Sequence, residues 1–405
     1  MNDNFKSNKV ILHIDVDSFF VSCEVALRPE LLNKQVAVST DTHKSIVTAL
    51  SYEAKAKGAK VPWKLSLVKK HCKDLIILEP NMFLYQNYAK KIYDFLIKNY
   101  SDSIQIVSID EWYIDATKIW KKFGSINNLA SHIQEQLWKK LLMPVSIGIS
   151  YNKFLAKMAT AINKPKGITF ITYNNFQEIL WPMDITNYYG IGKVMSKKLI
   201  EIGIKTIGDL ANRNISDIDI KKIFLNQTEV FINNANGIGD SLIKLDNNIL
   251  NSISNEITFM NGFSDNHKEV HLQLRKLCHK VSSRLIERNI CGSHVSINLK
   301  LDNQRKSKSM KINKLINSEE DIFVYASKLM KSLWNEEAII GIGVAISKLE
   351  NSFQNLMDQS LFEEQKENSK IDNIIQNVNS KMNRRALMSG KEFTKYKKAT
   401  QNKYL

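Results

Sequence analysis

Two adjacent carboxylates, Asp110 and Glu111, stand inside an otherwise apolar, strand-like run, Val107-Ser108-Ile109-Asp110-Glu111-Trp112-Tyr113-Ile114-Asp115. Ionised carboxylates are costly in such a setting unless something pairs with them. Successive side chains of a strand point to opposite faces, so the two acids can act together only where the pleat breaks; a turn is expected between Ile109 and Trp112. A second apolar strand, within residues 10–20, ends in Asp15 just where a helix begins. Three carboxylates from two strand ends make a hard oxygen site suited to Mg²⁺, and two such ions can clamp the attacking and leaving oxygens of a phosphoryl transfer. Taken alone, either acidic strand end is also what turn and N-cap chemistry produces. Asp17 is expected to N-cap the helix that follows Asp15.

The elements that must position these acids follow from periodicity. Leu84, Tyr88, Ile92, Phe95 and Leu96 mark one face of a helix ending near Tyr100, and Ile126, Leu129, Ile133, Leu137 and Leu141 mark another. With strands at 104–109, 112–115 and 145–149, the order is βαββαβ, which predicts a sheet with helices on one face and the acidic strand ends together. Residues 31–78 carry only short apolar runs and read as a small inserted subdomain. Farther on, Gly190-Ile191-Gly192-Lys193 opens a basic helix, a helix-hairpin-helix pattern that offers free N–H groups and a positive dipole end to a phosphate. A plain helical turn is the alternative. Residues 241–251 read as a linker, and a second βαββαβ series follows to about 347. There, strands 295–301 and 304–311 carry Lys300, Arg305, Lys306 and Lys308; the last two share a face that could track a phosphate backbone, and an ordinary solvated lysine face is the competing account.

The chain has 405 residues, 43% of them hydrophobic, enough for two to four domains with real cores. Residues 1–9 are polar with no apolar leader core, and no apolar run reaches membrane-spanning length, so a cytoplasmic protein is expected. Cys23, Cys72, Cys278 and Cys291 lack the spacing of a zinc site or a disulfide framework and are expected to be buried thiols. The net charge of +16 suits a polyanionic partner, nucleic acid above all, although a Lys-, Asn- and Ile-rich composition also raises it.

With these residues assembled, the chain resembles the Y-family DNA polymerases, in particular their bacterial UmuC and DinB-like branches. The resemblance runs through residues 8–350 by motifs in family order: Ile14-Asp15-Val16-Asp17-Ser18-Phe19-Phe20, Ser51-Tyr52-Glu53-Ala54-Lys55, Ser108-Ile109-Asp110-Glu111, Gly148-Ile149-Ser150-Tyr151-Asn152-Lys153 with Ala156-Lys157, and Lys164-Pro165-Lys166-Gly167-Ile168. It implies an α+β, multi-domain, right-hand polymerase: a catalytic palm with the βαββαβ sheet (1–20 and 79–172), small inserted fingers (21–78), a helical thumb with the helix-hairpin-helix (173–240), the linker, and a βαββαβ little finger (252–350). A polar tail (351–405) follows.

The resemblance also implies that Asp15, Asp110 and Glu111, with the Val16 carbonyl, hold two Mg²⁺ ions. Tyr52, Lys55 and Lys164 match positions that bind the triphosphate of the incoming nucleotide. Phe20, beside Phe19, matches the steric gate that excludes a 2′-hydroxyl; a core phenylalanine is the alternative. Gly190, Gly192 and Lys193, with Lys300, Arg305, Lys306 and Lys308, fall where DNA is held. Lys55 stands where an arginine is common, which removes a bidentate fork; Ala49 replaces a frequent hydroxyl, and Trp112 is bulkier than usual after the acid pair. In the tail, Asp358-Gln359-Ser360-Leu361-Phe362 resembles a sliding-clamp peptide apart from its first two positions, with Leu361 and Phe362 as anchors. The implied function is low-fidelity, template-directed DNA synthesis past lesions, in DNA repair and the SOS response to DNA damage, by a monomer acting on primer–template DNA and dNTPs. A catalytically silent DNA-binding relative that recruits partners is the alternative, and a metal-dependent nuclease a third; the intact acid set argues against the silent relative.

Overall fold

A computed structural model of the chain describes residues 9–42, 45–244, 250–259, 264–302 and 304–351. The chain divides into two compact units, Met1–Asn248 and Ile249–Leu405. The first opens with β1 (Ile11–Val16), α1 (Phe19–Leu27), β2 (Val36–Val38), β3 (Ala49–Leu50), α2 (Tyr52–Ala56), α3 (Leu65–His71) and β4 (Ile76–Leu78). It continues through α4 (Met82–Asn99), β5 (Ile104–Ile106), β6 (Glu111–Asp115), α5 (Ile126–Leu141), β7 (Val145–Ser150), α6 (Lys153–Ile162) and β8 (Ile168–Phe170). Five short helices follow: α7 (Phe176–Leu180), α8 (Lys193–Glu201), α9 (Ile207–Ala211), α10 (Ile218–Phe224) and α11 (Thr228–Ala235).

The main sheet has the order β5-β6-β1-β7-β8. Alternation along β1 divides its chemistry. Leu12, Ile14 and Val16 enter the core made with α4 and α5, whereas Ile11, His13 and Asp15 point to the opposite side. That opposite side is covered by α6, not left bare as the helices-on-one-face expectation has it. Gly148 is the reason α6 fits: a Cβ there would stand 2.0 Å from the Ala156 carbonyl oxygen and 2.4 Å from Thr160 N. The fifth strand, β8, pairs parallel to β7 and was not expected from the short run after Gly167. Trp112 is 1% exposed and belongs to the α4/α5 core, because it lies on the face of β6 opposite Glu111; its bulk therefore fills the core and leaves the acids untouched.

The insertion after α1 forms its own sheet, order β3-β2-β4, closed around Leu50, Ala54, Leu65 and Val68. Helix α1 itself packs into the main core through Phe19, Val21 and Cys23, so a boundary after residue 20 falls inside a helix. The five short helices share a core with the outer face of α6, through Phe154, Leu155 and Met158. All four cysteines are buried and unbridged. No helix among the described residues is long and apolar enough to cross a membrane.

The second unit holds β9 (Ser252–Thr258), α12 (His267–Glu287), β10 (Ile290–Lys300), β11 (Arg305–Ile316), α13 (Glu319–Leu333) and β12 (Gly341–Asn351), with strand order β11-β10-β12-β9. The two sheets therefore share element order but not topology, contrary to the reading that they match. β10 starts five residues before the expected strand because a bulge between Gly292 and His294 carries the pairing past a break in the apolar alternation.

Candidate active site

The acids meet because β1 and β6 are antiparallel neighbours and Asp15 lies directly opposite Glu111 in their register. Cross-strand partners share a face, so both carboxylates emerge on the α6 side at one end of the strand pair. Asp110 belongs to the turn that joins β5 to β6, earlier than the expected turn: Val107 N already donates to the Glu111 carbonyl at 2.9 Å, and Val16 N donates to the Asp110 carbonyl at 3.0 Å. The Ser108 hydroxyl donates to Asp110 Oδ1 at 2.5 Å, which aims that carboxylate.

Positive charge is concentrated on this pair. Lys157 Nζ lies 2.8 Å from Glu111 Oε1 and 3.4 Å from Asp15 Oδ2. Lys164 pairs with Asp15 Oδ1. On the other side of Glu111, the wholly buried His13 sets Nε2 3.3 Å from Oε2, while its Nδ1 lies 2.9 Å from the Thr160 hydroxyl. Burial pushes the Glu111 carboxyl up, but the His13 contact and the Lys157 ammonium outweigh it and hold the group down at about 2. Asp110 is shifted the other way, raised by burial and by the charges of Asp15 and Glu111. Burial, outweighing the Glu111 contact, lowers the pKa of His13.

The residues fit a divalent cation by chemistry. The donors are oxygens from three carboxylates, and the ammonium of Lys157 bridging Asp15 and Glu111 marks where positive charge is demanded. Among the described residues no three such groups already enclose a metal position.

A cavity of about 330 Å³ opens beside the acids, lined on one side by Asp15, Asp110 and Glu111 and on the other by Tyr52, Lys55 and Lys164. Phe20 forms part of its wall, and so does Phe19, but the two differ in burial. Phe19 is 4% exposed and anchors the core; Phe20 is half-buried and lies flat on Tyr85, ring centroids 4.4 Å apart and 13° from parallel. Tyr85 is itself fixed by donating to Glu24 at 2.8 Å. Lys55 lies 4.3 Å over the Tyr52 ring and donates to Ser18 Oγ at 2.8 Å. Lys164 reaches the cavity from the loop before β8. Ala49 and Val61 complete the wall toward the inserted subdomain.

Asp17 is not an N-cap. Ser18 occupies the cap position in left-handed backbone (φ 49, ψ 50) with no side-chain cap, and Asp17 turns away from α1. Its carboxylate accepts from the Ser146 hydroxyl (2.9 and 3.0 Å), Lys166 N (2.8 Å) and the Tyr52 hydroxyl (3.2 Å). Asp115 accepts from Thr117 N and pairs with Lys9, away from the cavity.

Outside the cavity, Gly190 takes φ 99, the left-handed backbone that only a glycine adopts freely, and Gly192 begins α8 with nothing within 4 Å of where a Cβ would be. Lys193 is exposed beside it. In the second unit the register reverses the expected division of the cations. Lys306 and Lys308 do share a face, opposite Leu299 and Ile297, but those partners are buried under the helices; Lys306 pairs there with Glu337 at 2.5 Å. Arg305 and Lys300 oppose each other on the other face, with Lys311 opposite His294, and Arg305 holds Glu256 through two hydrogen bonds of 3.0 and 3.1 Å. Leu361 and Phe362 lie outside the described residues. Sequence reasoning assigned no role to His13, Lys157 or Thr160. A histidine two residues before Asp15 in an apolar strand was the available signal, since period two puts both on one face.

Residues 14–161 match the impB/mucB/samB family, 173–204 the IMS family HHH motif, and 251–358 the impB/mucB/samB family C-terminal domain. DNA polymerase IV 1 of Bacillus subtilis is 33% identical over 407 residues, covering 98% of this chain and 97% of its own length. DNA polymerase IV of Ureaplasma parvum is 34% identical over 346 residues, 84% of this chain and 94% of that one. Among solved structures, a Y-family DNA polymerase chimera, Dbh-Dpo4(243-245)-Dbh, superposes with a TM-score of 0.75 at 22% identity over 84% of this chain and 99% of its own. DinB from Sulfolobus solfataricus does so at 0.56 and 23%, over 84% and 98%.

Proposed function

The chain belongs to the impB/mucB/samB family of Y-family DNA polymerases, and from that premise we propose how its residues divide the work of translesion DNA synthesis. Asp15, Asp110 and Glu111, with the Val16 carbonyl, would hold two Mg²⁺ ions. When bound, these ions lower the pKa of the primer 3′-hydroxyl and neutralise charge on the α-phosphate and the leaving pyrophosphate. Tyr52, Lys55 and Lys164 hold the triphosphate, so Lys164 exchanges Asp15 for a phosphate when a nucleotide arrives. Phe20, backed by Tyr85, closes the space where a ribose 2′-hydroxyl would sit. The observation that carries this reading is the pairing of Asp15 with Glu111 across β1 and β6, at the mouth of a cavity whose far wall is cationic.

The acidic site corresponds to a palm that takes in all of α1 and resumes at 79–172, the inserted sheet β2–β4 with α2 and α3 to fingers, the short helices to a thumb (173–240) and the second unit to a little finger (252–350) beyond the linker. The helix-hairpin-helix at Gly190–Gly192–Lys193 and the open sheet face carrying Lys300, Arg305 and Lys311 track the phosphates of primer–template DNA. Synthesis of low fidelity is part of the same reading. The enzyme works as a cytoplasmic monomer, with Leu361 and Phe362 as its anchor on a sliding clamp. Primer extension on undamaged and abasic templates, wild type beside Asp110→Asn, tests the reading: extension past the lesion by wild type alone is expected. Loss of primer from its 3′ end would make the protein a nuclease, and DNA binding without extension a silent relative.

A further inference from the structure

Three segments of the chain meet on a carboxylate carried by a fourth. Asp17, 2% exposed at the end of β1, accepts from Ser146 on β7, from the N–H of Lys166 in the loop before β8, and from the hydroxyl of Tyr52 on α2 of the insertion. An ionised carboxylate is an acceptor only, with room for about four hydrogen bonds, and its neighbours here are all donors. Two of those donors are tied to the groups assigned to the triphosphate. Tyr52 is one of them, and Lys166 lies two residues after Lys164. The loop is gripped from its other side as well: Gln134 Nε2 donates to the Lys166 carbonyl at 2.9 Å, and Lys166 Nζ lies 4.6 Å over the Trp138 ring. Asp17 is thus the point at which the insertion and the Lys164 loop are referenced to the strand that carries Asp15.

We propose that Asp17 is a positioning residue for the incoming nucleotide: it orients the Tyr52 hydroxyl and the backbone that delivers Lys164, and so sets the triphosphate relative to the acids without touching metal or substrate. This rests on the triphosphate assignment of Tyr52 and Lys164 made above. Asparagine is the sharp substitution, since it keeps the shape but turns two N–H groups toward a cage of donors. Ser146→Ala is the milder one, removing a donor to Asp17 that has no part in nucleotide binding.

Single-nucleotide incorporation by the full-length protein tests this. Asp17→Asn is expected to raise the KM for dNTP about tenfold and Ser146→Ala about threefold, with kcat changed by less than about threefold. The Mg²⁺ half-saturation and the Kd for primer–template should not move. In a Tyr52→Phe background the effect of Asp17→Asn should shrink, because the two changes remove one shared hydrogen bond. An unchanged KM in a folded Asp17→Asn, effects that simply add, or a shifted Mg²⁺ half-saturation, which would make Asp17 a metal ligand, each overturn the proposal. If Asp17→Asn does not fold, an unchanged KM in Ser146→Ala does so. Unchanged KM in Tyr52→Phe and Lys164→Ala overturns the triphosphate assignment and this inference with it, whereas raised KM there beside an unmoved Asp17→Asn overturns this inference alone.

Discussion

The sheet that carries Asp15 and the sheet of the C-terminal unit are built from one element order, strand–helix–strand–strand–helix–strand, yet only the first gathers carboxylates. Strand order makes the difference. In the first unit the opening strand β1 lies beside β6, so the end of one and the start of the other meet, and Asp15 faces Glu111. In the second unit the equivalent strands, β9 and β11, are the two edges, separated by β12 and β10. Their ends cannot converge, and what the sheet offers is a broad face bearing Lys300, Arg305 and Lys311. In the proposed reading, one pattern of elements serves chemistry in one place and phosphate tracking in the other, and strand pairing distinguishes the two.

The contrast is drawn out most by Phe20→Ala. If the ring guards the sugar, its loss relieves a clash for ribonucleotides alone and should raise the rNTP:dNTP incorporation ratio by on the order of a hundredfold or more, with the fold intact. If Phe20 were a core residue like Phe19, the same change would cost about 3–5 kcal/mol and both substrates would suffer together. Single-nucleotide kinetics beside thermal melts distinguish the two.

Glycines separate the sheets next. Gly148→Ala puts a Cβ 2.0 Å from backbone that cannot yield, so α6 must move off β7; a loss of roughly 1–3 kcal/mol is expected in a denaturant melt. Gly343→Ala meets the Glu256 side chain at 3.3 Å and the Asn255 carbonyl oxygen at an ordinary 3.6 Å, and should cost much less. Equal losses would mean that close helix approach is not what the first sheet requires.

The cation faces come third. Replacing Lys300 and Lys311 by Ala should lower the slope of log K against log salt by roughly 0.9 for each duplex phosphate that is no longer neutralised, while replacing Lys306 and Lys308 should leave it nearly unchanged. The opposite result would put DNA on the helix side of the sheet.

The smallest effect concerns Glu111. Its carboxyl is held at about 2, below the unfolded value of 4.5, so the stabilisation it contributes is fully present above the unfolded value and is lost as pH falls from there toward 2. In metal-free melts, any advantage of wild type over Glu111→Gln should therefore shrink on acidification below about pH 4.5. A difference independent of pH would count against the His13 and Lys157 contacts.

What was legible in the sequence was local. Apolar alternation exposed the acid-ended strands, and glycine and lysine marked the helix-hairpin-helix. Asp17 was misread because its partners, Tyr52, Ser146 and Lys166, lie far along the chain, whereas helix capping is a local expectation. Lys306 and Lys308 show the same limit. Period two establishes that they share a face, but only the pairing with Ile297 and Leu299 shows that it is the core-facing side of the sheet, at whose edge Lys308 stays exposed. Trp112 was unexplained until the register put it on the core side of β6.

The division of labour between the two units is tested most directly by Glu111→Gln in the full-length protein, with the single-turnover rate of nucleotide addition and the Kd for primer–template measured on one preparation. The expected result is a rate reduced on the order of a thousandfold with Kd within about threefold of wild type. A Kd that weakens in step with the rate would contradict it, since the acids would then be holding DNA and not acting on it.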